Sequence, residues 1–213
     1  MYLNDQQRAS SQSEQIQPPL FLRLGEPARQ RQVQDQIQYF DAAVTLNTEG
    51  KRVQVSFQDN GPMPNDRKDR FIKRFIDPML KHDLGRKLLV DVNQGNHLVR
   101  IAWHNGKFGF NGTIELDRKE AIGGSGSPAV IFIDEEASDW KKHQPIVDNP
   151  DIGLFHELLH ALHAQQGTVV NDEEEMERIV IGIGKHTKDK RTENAYRDAK
   201  GLQRRCCWNR ETL

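Results

Sequence analysis

Apolar positions along the chain recur with two different periods, and the change from one to the other divides it into elements. In DRKDRFIKRFIDPMLKHDLG, Phe71, Ile72, Phe75, Ile76, Met79 and Leu80 fall at one-turn spacing, which predicts an amphipathic helix kinked near Pro78 and ended near Gly85. Before it, AAVTLNTEGKRVQVSFQD carries two β-rich runs on either side of Asn47-Thr48-Glu49-Gly50, a hairpin pattern. After it, KLLVDVNQGNHLVRIAWHNGKFGFNGTIELD alternates apolar and polar residues between Gln94-Gly95-Asn96, Asn105-Gly106 and Asn111-Gly112, which predicts an antiparallel meander. AVIFID, residues 129–134, is apolar almost throughout, as expected of a short strand buried on both faces. Standing just before the next helix, it is the expected sheet edge for an extended chain to pair with.

That next helix is punctuated at both ends. Asn149 suits the N-cap, Pro150 the first helical position and Gly167 the C-terminal cap. NDEEEMERIVIGIGK, residues 171–185, begins a second helix, and RTENAYRDAKG gives a short third one from Thr192 to Gly201. No internal repeat is visible.

Residues 1–38 show neither period. They are rich in Gln and Ser, contain Pro18 and Pro19, and hold too little apolar surface to offset the entropy of ordering, so they read as a flexible leader. Residues 39–213 read as a single domain. With 30 Lys and Arg against 31 Asp and Glu, the net charge is -1, so no global field draws the chain to nucleic acid or an anionic membrane. No run of about 18 apolar residues predicts a membrane span. The only cysteines, Cys206 and Cys207, are adjacent. They cannot clip distant segments together and have no CxxC spacing for a metal, so a disulfide-framed scaffold is not expected.

The candidate chemistry lies in the punctuated helix, where His156, Glu157, Leu158, Leu159 and His160 spell HExxH. Positions four apart differ by about 40° around a helix axis and about 6 Å along it, so both imidazoles can reach one Zn²⁺ at about 2.0–2.1 Å. Glu157 can then serve as general base toward water at the metal's open position. At this composition a His-acid-x-x-His match is expected about 0.04 times in the chain, so chance is a weak explanation. The bland alternative is a pair of satisfied core histidines and a surface glutamate. His163 sits seven residues after His156, about 10 Å further along the axis, and cannot share a tetrahedral metal with it; it is expected to have a supporting or structural role. A third protein ligand is required, and the position where a further histidine would complete a longer zinc motif is Gln166. The acidic run offers Glu173, Glu174, Glu175 and Glu177. Glu177 is preferred because it leads directly into the apolar IVIGIG, where the chain must turn toward the core.

HELLHALH, an acidic residue leading into an apolar-Gly segment, TEN with Tyr196 and Arg197, and a closing basic-aromatic motif together resemble the NleD-like zinc metalloprotease effectors. More distantly, the pattern is similar to the clostridial neurotoxin light chains, in which a zinc-binding Glu lies five residues before a Gly, as Glu177 lies before Gly182. The resemblance covers His156 to Trp208. It implies an α+β, zincin-like fold: a small mixed or antiparallel sheet followed by the HExxH helix and C-terminal helices. It also implies one Zn²⁺ held by His156, His160 and Glu177, with Glu157 as catalytic base. In those light chains an Arg-x-x-Tyr pair supports the reacting carbonyl. Here Arg205 is the matching cation and Trp208 replaces the phenol, a role that could instead belong to Tyr196. Thr192, Glu193 and Asn194 match the TEN motif, either capping a helix or touching the ligands. The implied function is endopeptidase cleavage of host signalling proteins, MAP kinases in particular, by a virulence effector secreted through a bacterial type III system into the host cytoplasm. The leader would be its secretion signal. Two alternatives stand beside it: a non-catalytic effector that binds host protein with a structural zinc or none, and a zinc hydrolase acting on a non-peptide bond.

Overall fold

The structure is a computed structural model that describes residues 43–45, 53–57, 65–104, 110–134 and 144–207. The proposed leader, residues 1–38, and Trp208 lie outside the described residues. In chain order the elements begin with β1 (Ala43–Thr45) and β2 (Val53–Phe57). A helical run follows: α1 (Asn65–Phe71), a π-helical turn (Ile72–Ile76), α2 (Asp77–Leu80) and α3 (Asp83–Gln94). Then come β3 (Val99–His104), β4 (Gly112–Glu115), α4 (Arg118–Gly123) and β5 (Ala129–Asp134). The C-terminal part holds α5 (Gln144–Asp148), α6 (Pro150–Gln166), α7 (Glu173–Ile181), a 3₁₀ turn (Gly184–His186) and α8 (Glu193–Ala199). The class is mixed α+β.

The five described strands form one mixed sheet in the order β1-β2-β3-β5-β4. β1 and β2 pair antiparallel, as the hairpin pattern predicts. The expected meander is not formed. Residues 87–94 belong to α3, because Leu88, Leu89 and Val92 are buried at helical rather than alternating spacing. β3 pairs parallel with β2 and β5, and β4 pairs antiparallel with β5, so β5 separates the two strands a meander would have joined. β5 is buried along its whole length, as its apolar sequence predicts. It is therefore an inner strand, and the expectation that it forms the sheet edge is corrected: among the described strands the edge on this side is β4.

The long amphipathic helix also differs from expectation. It ends at Leu80, and Gly85 lies inside the first turn of α3. A Cβ on Gly85 would stand 2.2 Å from the Met79 carbonyl oxygen, so glycine here permits a close helix-to-helix corner. Phe71 and Phe75 on the upstream run pack on Trp103 of β3, with ring centroids 5.4 and 6.0 Å away.

Strand alternation assigns the sheet's two faces. Val99, Ile101, Trp103, Ala129, Ile131 and Ile133 join the main core with the helices, whereas Ala102, Val130 and Phe132 form a smaller cluster on the other face. Across the main core lies α6, which packs against α3, β4, β5, α5, α7 and α8. It is apolar nearly all round, which suits a helix surrounded by protein. Its limits match the sequence reading: Pro150 opens it after Asn149, although the Asn149 side chain makes no cap hydrogen bond, and Gly167 closes it at φ 66°. α7 and α8 return to α6 through two side-chain caps, Asp172 accepting from the Glu174 and Glu175 amides and Thr192 from the Ala195 amide.

Candidate metal centre

His156 and His160 stand one helical turn apart on α6 and present Nε2 atoms 3.1 Å from each other. Glu177, midway along α7, meets them both: Oε2 is 3.4 Å from His156 Nε2 and Oε1 is 3.2 Å from His160 Nε2. A tetrahedral ion with ligand atoms at about 2.0–2.1 Å requires ligand-to-ligand edges of about 3.3–3.4 Å. The separation of the two Nε2 atoms, and that of each from its own Glu177 oxygen, fall close to that edge. Two imidazole nitrogens and one carboxylate oxygen are also a donor set that zinc accepts. These three residues can hold a metal ion, and they are the one such group among the described residues.

Glu177 is thus the acidic residue brought to the histidines, while its neighbours face other partners. Glu174 pairs with Arg178, and Glu175 with Lys185 and His186. The choice follows from helix geometry: Met176, Val180 and Ile181 bury the inner face of α7, and Glu177 borders it. Gly182 then ends α7 at φ 81°, with a virtual Cβ only 2.5 Å from Thr192 Oγ1. A glycine at this spot lets the chain turn tightly enough to bring the N-terminus of α8 beside the site.

Glu193, the first residue of α8, accepts a hydrogen bond from His156 Nδ1 at 2.9 Å. It is 1% exposed. Arg197 Nε donates to its other oxygen at 2.6 Å, and Arg205 donates from a terminal guanidinium nitrogen at 3.3 Å. The contact fixes which imidazole nitrogen faces Glu177 and leaves Nε2 free for an ion. Asn194 ties the tail to the helix, accepting from the Arg205 amide at 2.7 Å and donating to the Arg205 carbonyl at 2.8 Å. TEN therefore does both things the sequence allowed: Thr192 caps α8, and Glu193 touches a candidate ligand.

The electrostatics call for a cation. Burial pulls the His156 pKa down, but Glu177 and Glu193 on its two ring nitrogens outweigh that and raise it to about 10. Burial alone would raise Glu193, yet His156, Arg205 and Arg197 bring it down to about 2. Glu177 is likewise held well below the usual carboxylate range by the two histidines, against the upward pull of burial. The two carboxylates facing His156 thus favour a positive charge between them, which a proton or a divalent ion can supply.

Glu157, next to His156 on α6, accepts a 2.8 Å hydrogen bond at Oε2 from Thr113 Oγ1 on β4. Sequence reasoning missed Thr113. Its side chain faces α6 because it pairs with Ile131, which points into the main core. His163 is outside the cluster, with Nδ1 2.8 Å from Thr168 Oγ1. Burial, then His160 and Arg191, lower its pKa to about 4, consistent with a neutral supporting residue.

Two residues expected at the reacting carbonyl make contacts of their own. Tyr196 is fully buried, stacked on Phe155 at 4.2 Å, and its hydroxyl donates to Asp151 at 2.6 Å. Lys200 binds the same carboxylate. This phenol is held by a buried ion pair at the start of α6 and does not join the histidine cluster to which the sequence reading assigned it. Arg205 reaches Glu193 and, through Nε, the Cys207 carbonyl at 3.1 Å. Those contacts join it to His156 through Glu193.

The fold and site define an α+β protein in which two histidines of the central helix and one carboxylate of α7 form a cluster that could hold a metal ion. Comparison with protein-family models, curated proteins and solved structures finds no match to this chain.

Proposed function

We propose that the protein is a zinc-dependent endopeptidase with a zincin-like arrangement, in which His156, His160 and Glu177 hold one Zn²⁺ and Glu157 is the general base. The observation that carries the reading is the convergence of the two imidazole Nε2 atoms, 3.1 Å apart, on the Glu177 carboxylate, whose two oxygens lie 3.4 and 3.2 Å from them, on a helix that places Glu157 beside the first ligand. A zinc ion held there would polarise a carbonyl and bring the pKa of water toward about 7. Glu157 would take a proton from that water and later deliver it to the leaving amine. Glu193 would keep His156 in the ligating tautomer, with Arg197 and Arg205 balancing its charge. Apolar Leu158, Leu159, Ala161 and Leu162 are buried around the histidines and keep the site dry on its inner side.

The edge strand favours a peptide over another hydrolysable substrate. β4 joins α6 through the Thr113–Glu157 contact, so an extended chain pairing with this edge would run past the general base. The family resemblance extends the proposal to host signalling proteins, MAP kinases among them, reached by type III secretion. Glu157→Gln should retain one zinc per chain and lose cleavage of candidate host proteins, whereas His160→Ala should lose both. No cleavage by the zinc-loaded unmodified chain, with host phenotype and metal content unchanged in Glu157→Gln, would leave the rival reading, a host-protein-binding effector with a structural zinc, as the better account.

A further inference from the structure

We infer that Thr113 is a positioning residue for Glu157: its hydroxyl is the resting dock of the carboxylate, with a second acceptor in place for when the carboxylate leaves. The inference rests on the zinc-hydrolase reading above. Thr113 Oγ1 lies 2.8 Å from Glu157 Oε2 and 2.9 Å from the Glu157 backbone carbonyl oxygen. A carboxylate and a carbonyl both only accept, and a hydroxyl has one proton to give, so the two contacts share or alternate one hydrogen bond. The consequence is a low-cost exchange. When the Glu157 side chain turns toward water, Thr113 donates to the carbonyl and no part-buried donor is stranded.

The placement is specific. Thr113 sits on the edge strand, on the face toward α6, while the next residue, Ile114, packs with the cluster on the opposite face. Glu157 is itself buried, 8% exposed, and among the described residues the side-chain hydrogen bond given to its carboxylate comes from Thr113 and sets where the group rests. The same strand would receive an extended chain, so the residue that docks the base also belongs to the backbone that such a chain would pair with.

The test uses acetohydroxamate, a small probe that binds an open zinc position and offers a proton to a neighbouring carboxylate, so no substrate need be known. Its affinity is measured for the zinc-loaded full chain and for Thr113→Val, Thr113→Ser, Glu157→Gln and the Thr113→Val/Glu157→Gln pair, with zinc content and melting temperature alongside. Valine keeps the β-branched shape and strand preference while deleting the hydroxyl. Because the dock competes with the probe for the carboxylate, Thr113→Val is expected to bind the probe about tenfold more tightly, Thr113→Ser to return to within about twofold of the unmodified chain, and Thr113→Val to add nothing once Glu157 is Gln. All variants should hold one zinc. Unchanged or weaker affinity in Thr113→Val, independent multiplying effects in the double variant, or loss of zinc from Thr113→Val would each overturn the positioning role. Failure of the unmodified chain to bind zinc would overturn the site reading, and this inference with it.

Discussion

Replacing Glu193 by glutamine tests what the buried carboxylate does for the site, because the side chain keeps its shape but loses its charge and one of its two acceptor oxygens. Three groups depend on that charge: His156 at 2.9 Å, Arg197 at 2.6 Å and Arg205 at 3.3 Å. With its pKa held at about 2 instead of the ordinary 4.5, linkage assigns the folded state about 3 kcal/mol of stabilisation from this carboxylate. The figure is close to the 3–5 kcal/mol typically lost when one member of a buried ion pair is removed. A depressed carboxylate pKa contributes fully above about 4.5 and is lost as the pH falls through about 2, so the deficit of Glu193→Gln should be largest at neutral pH and shrink in acid. Urea unfolding of the metal-free protein at pH 7 and pH 3 measures this directly. In a chelator-competition titration the same variant should bind zinc about 10–100-fold more weakly, the usual effect of losing a carboxylate partner of a histidine ligand. A variant with unchanged zinc affinity and an equal stability deficit at both pH values would refute the assigned role.

Other substitutions and conditions have separable outcomes. Glu177→Gln should abolish tight zinc binding, while Glu173→Gln, Glu174→Gln and Glu175→Gln should each leave it within about twofold in the same titration, since only Glu177 meets the histidines. Tyr196→Phe should cost about 1–3 kcal/mol in urea unfolding by removing a donor from buried Asp151, with zinc affinity and any proteolytic turnover number unchanged. Zinc affinity should rise by up to about tenfold per pH unit between pH 6 and pH 9, because His156 stays protonated up to about 10 without metal and must release a proton to bind it. The raised pKa has the opposite effect on the metal-free fold: its stabilisation is complete below about 6.5 and is lost as the pH rises through about 10.

Much of the site was legible because its signals are local. HExxH needs only the pitch of one helix, and the limits of α6 follow from Pro150 and Gly167, whose backbone preferences act at their own positions. Glu177 could be separated from its acidic neighbours by the apolar residues that follow it, since a charge at the edge of a buried helix face must find a partner. What failed depended on contacts distant in sequence. The apolar run of β5 shows that it is buried but cannot name its neighbours, so the insertion of β5 between β3 and β4 was invisible. Residues 87–94 contain both an alternating and a helical subset of apolar positions, and packing of Leu88, Leu89 and Val92 on the core decides for the helix. Thr113 gave no signal at all, because its facing toward Glu157 depends on the register of β4 against β5. Tyr196 misled for the same reason: the proximity of its partner, Asp151, arises only when α8 docks on the start of α6.

The central claim concerns which atoms hold the metal, and X-ray absorption at the zinc edge of the stoichiometrically loaded protein reads them directly. The expected spectrum shows one zinc per chain with two imidazoles and one carboxylate, all nitrogen and oxygen ligands at about 2.0–2.2 Å. Sulfur scattering at about 2.3 Å, which only Cys206 and Cys207 or a methionine could supply, or a chain that takes up no zinc, would contradict the account.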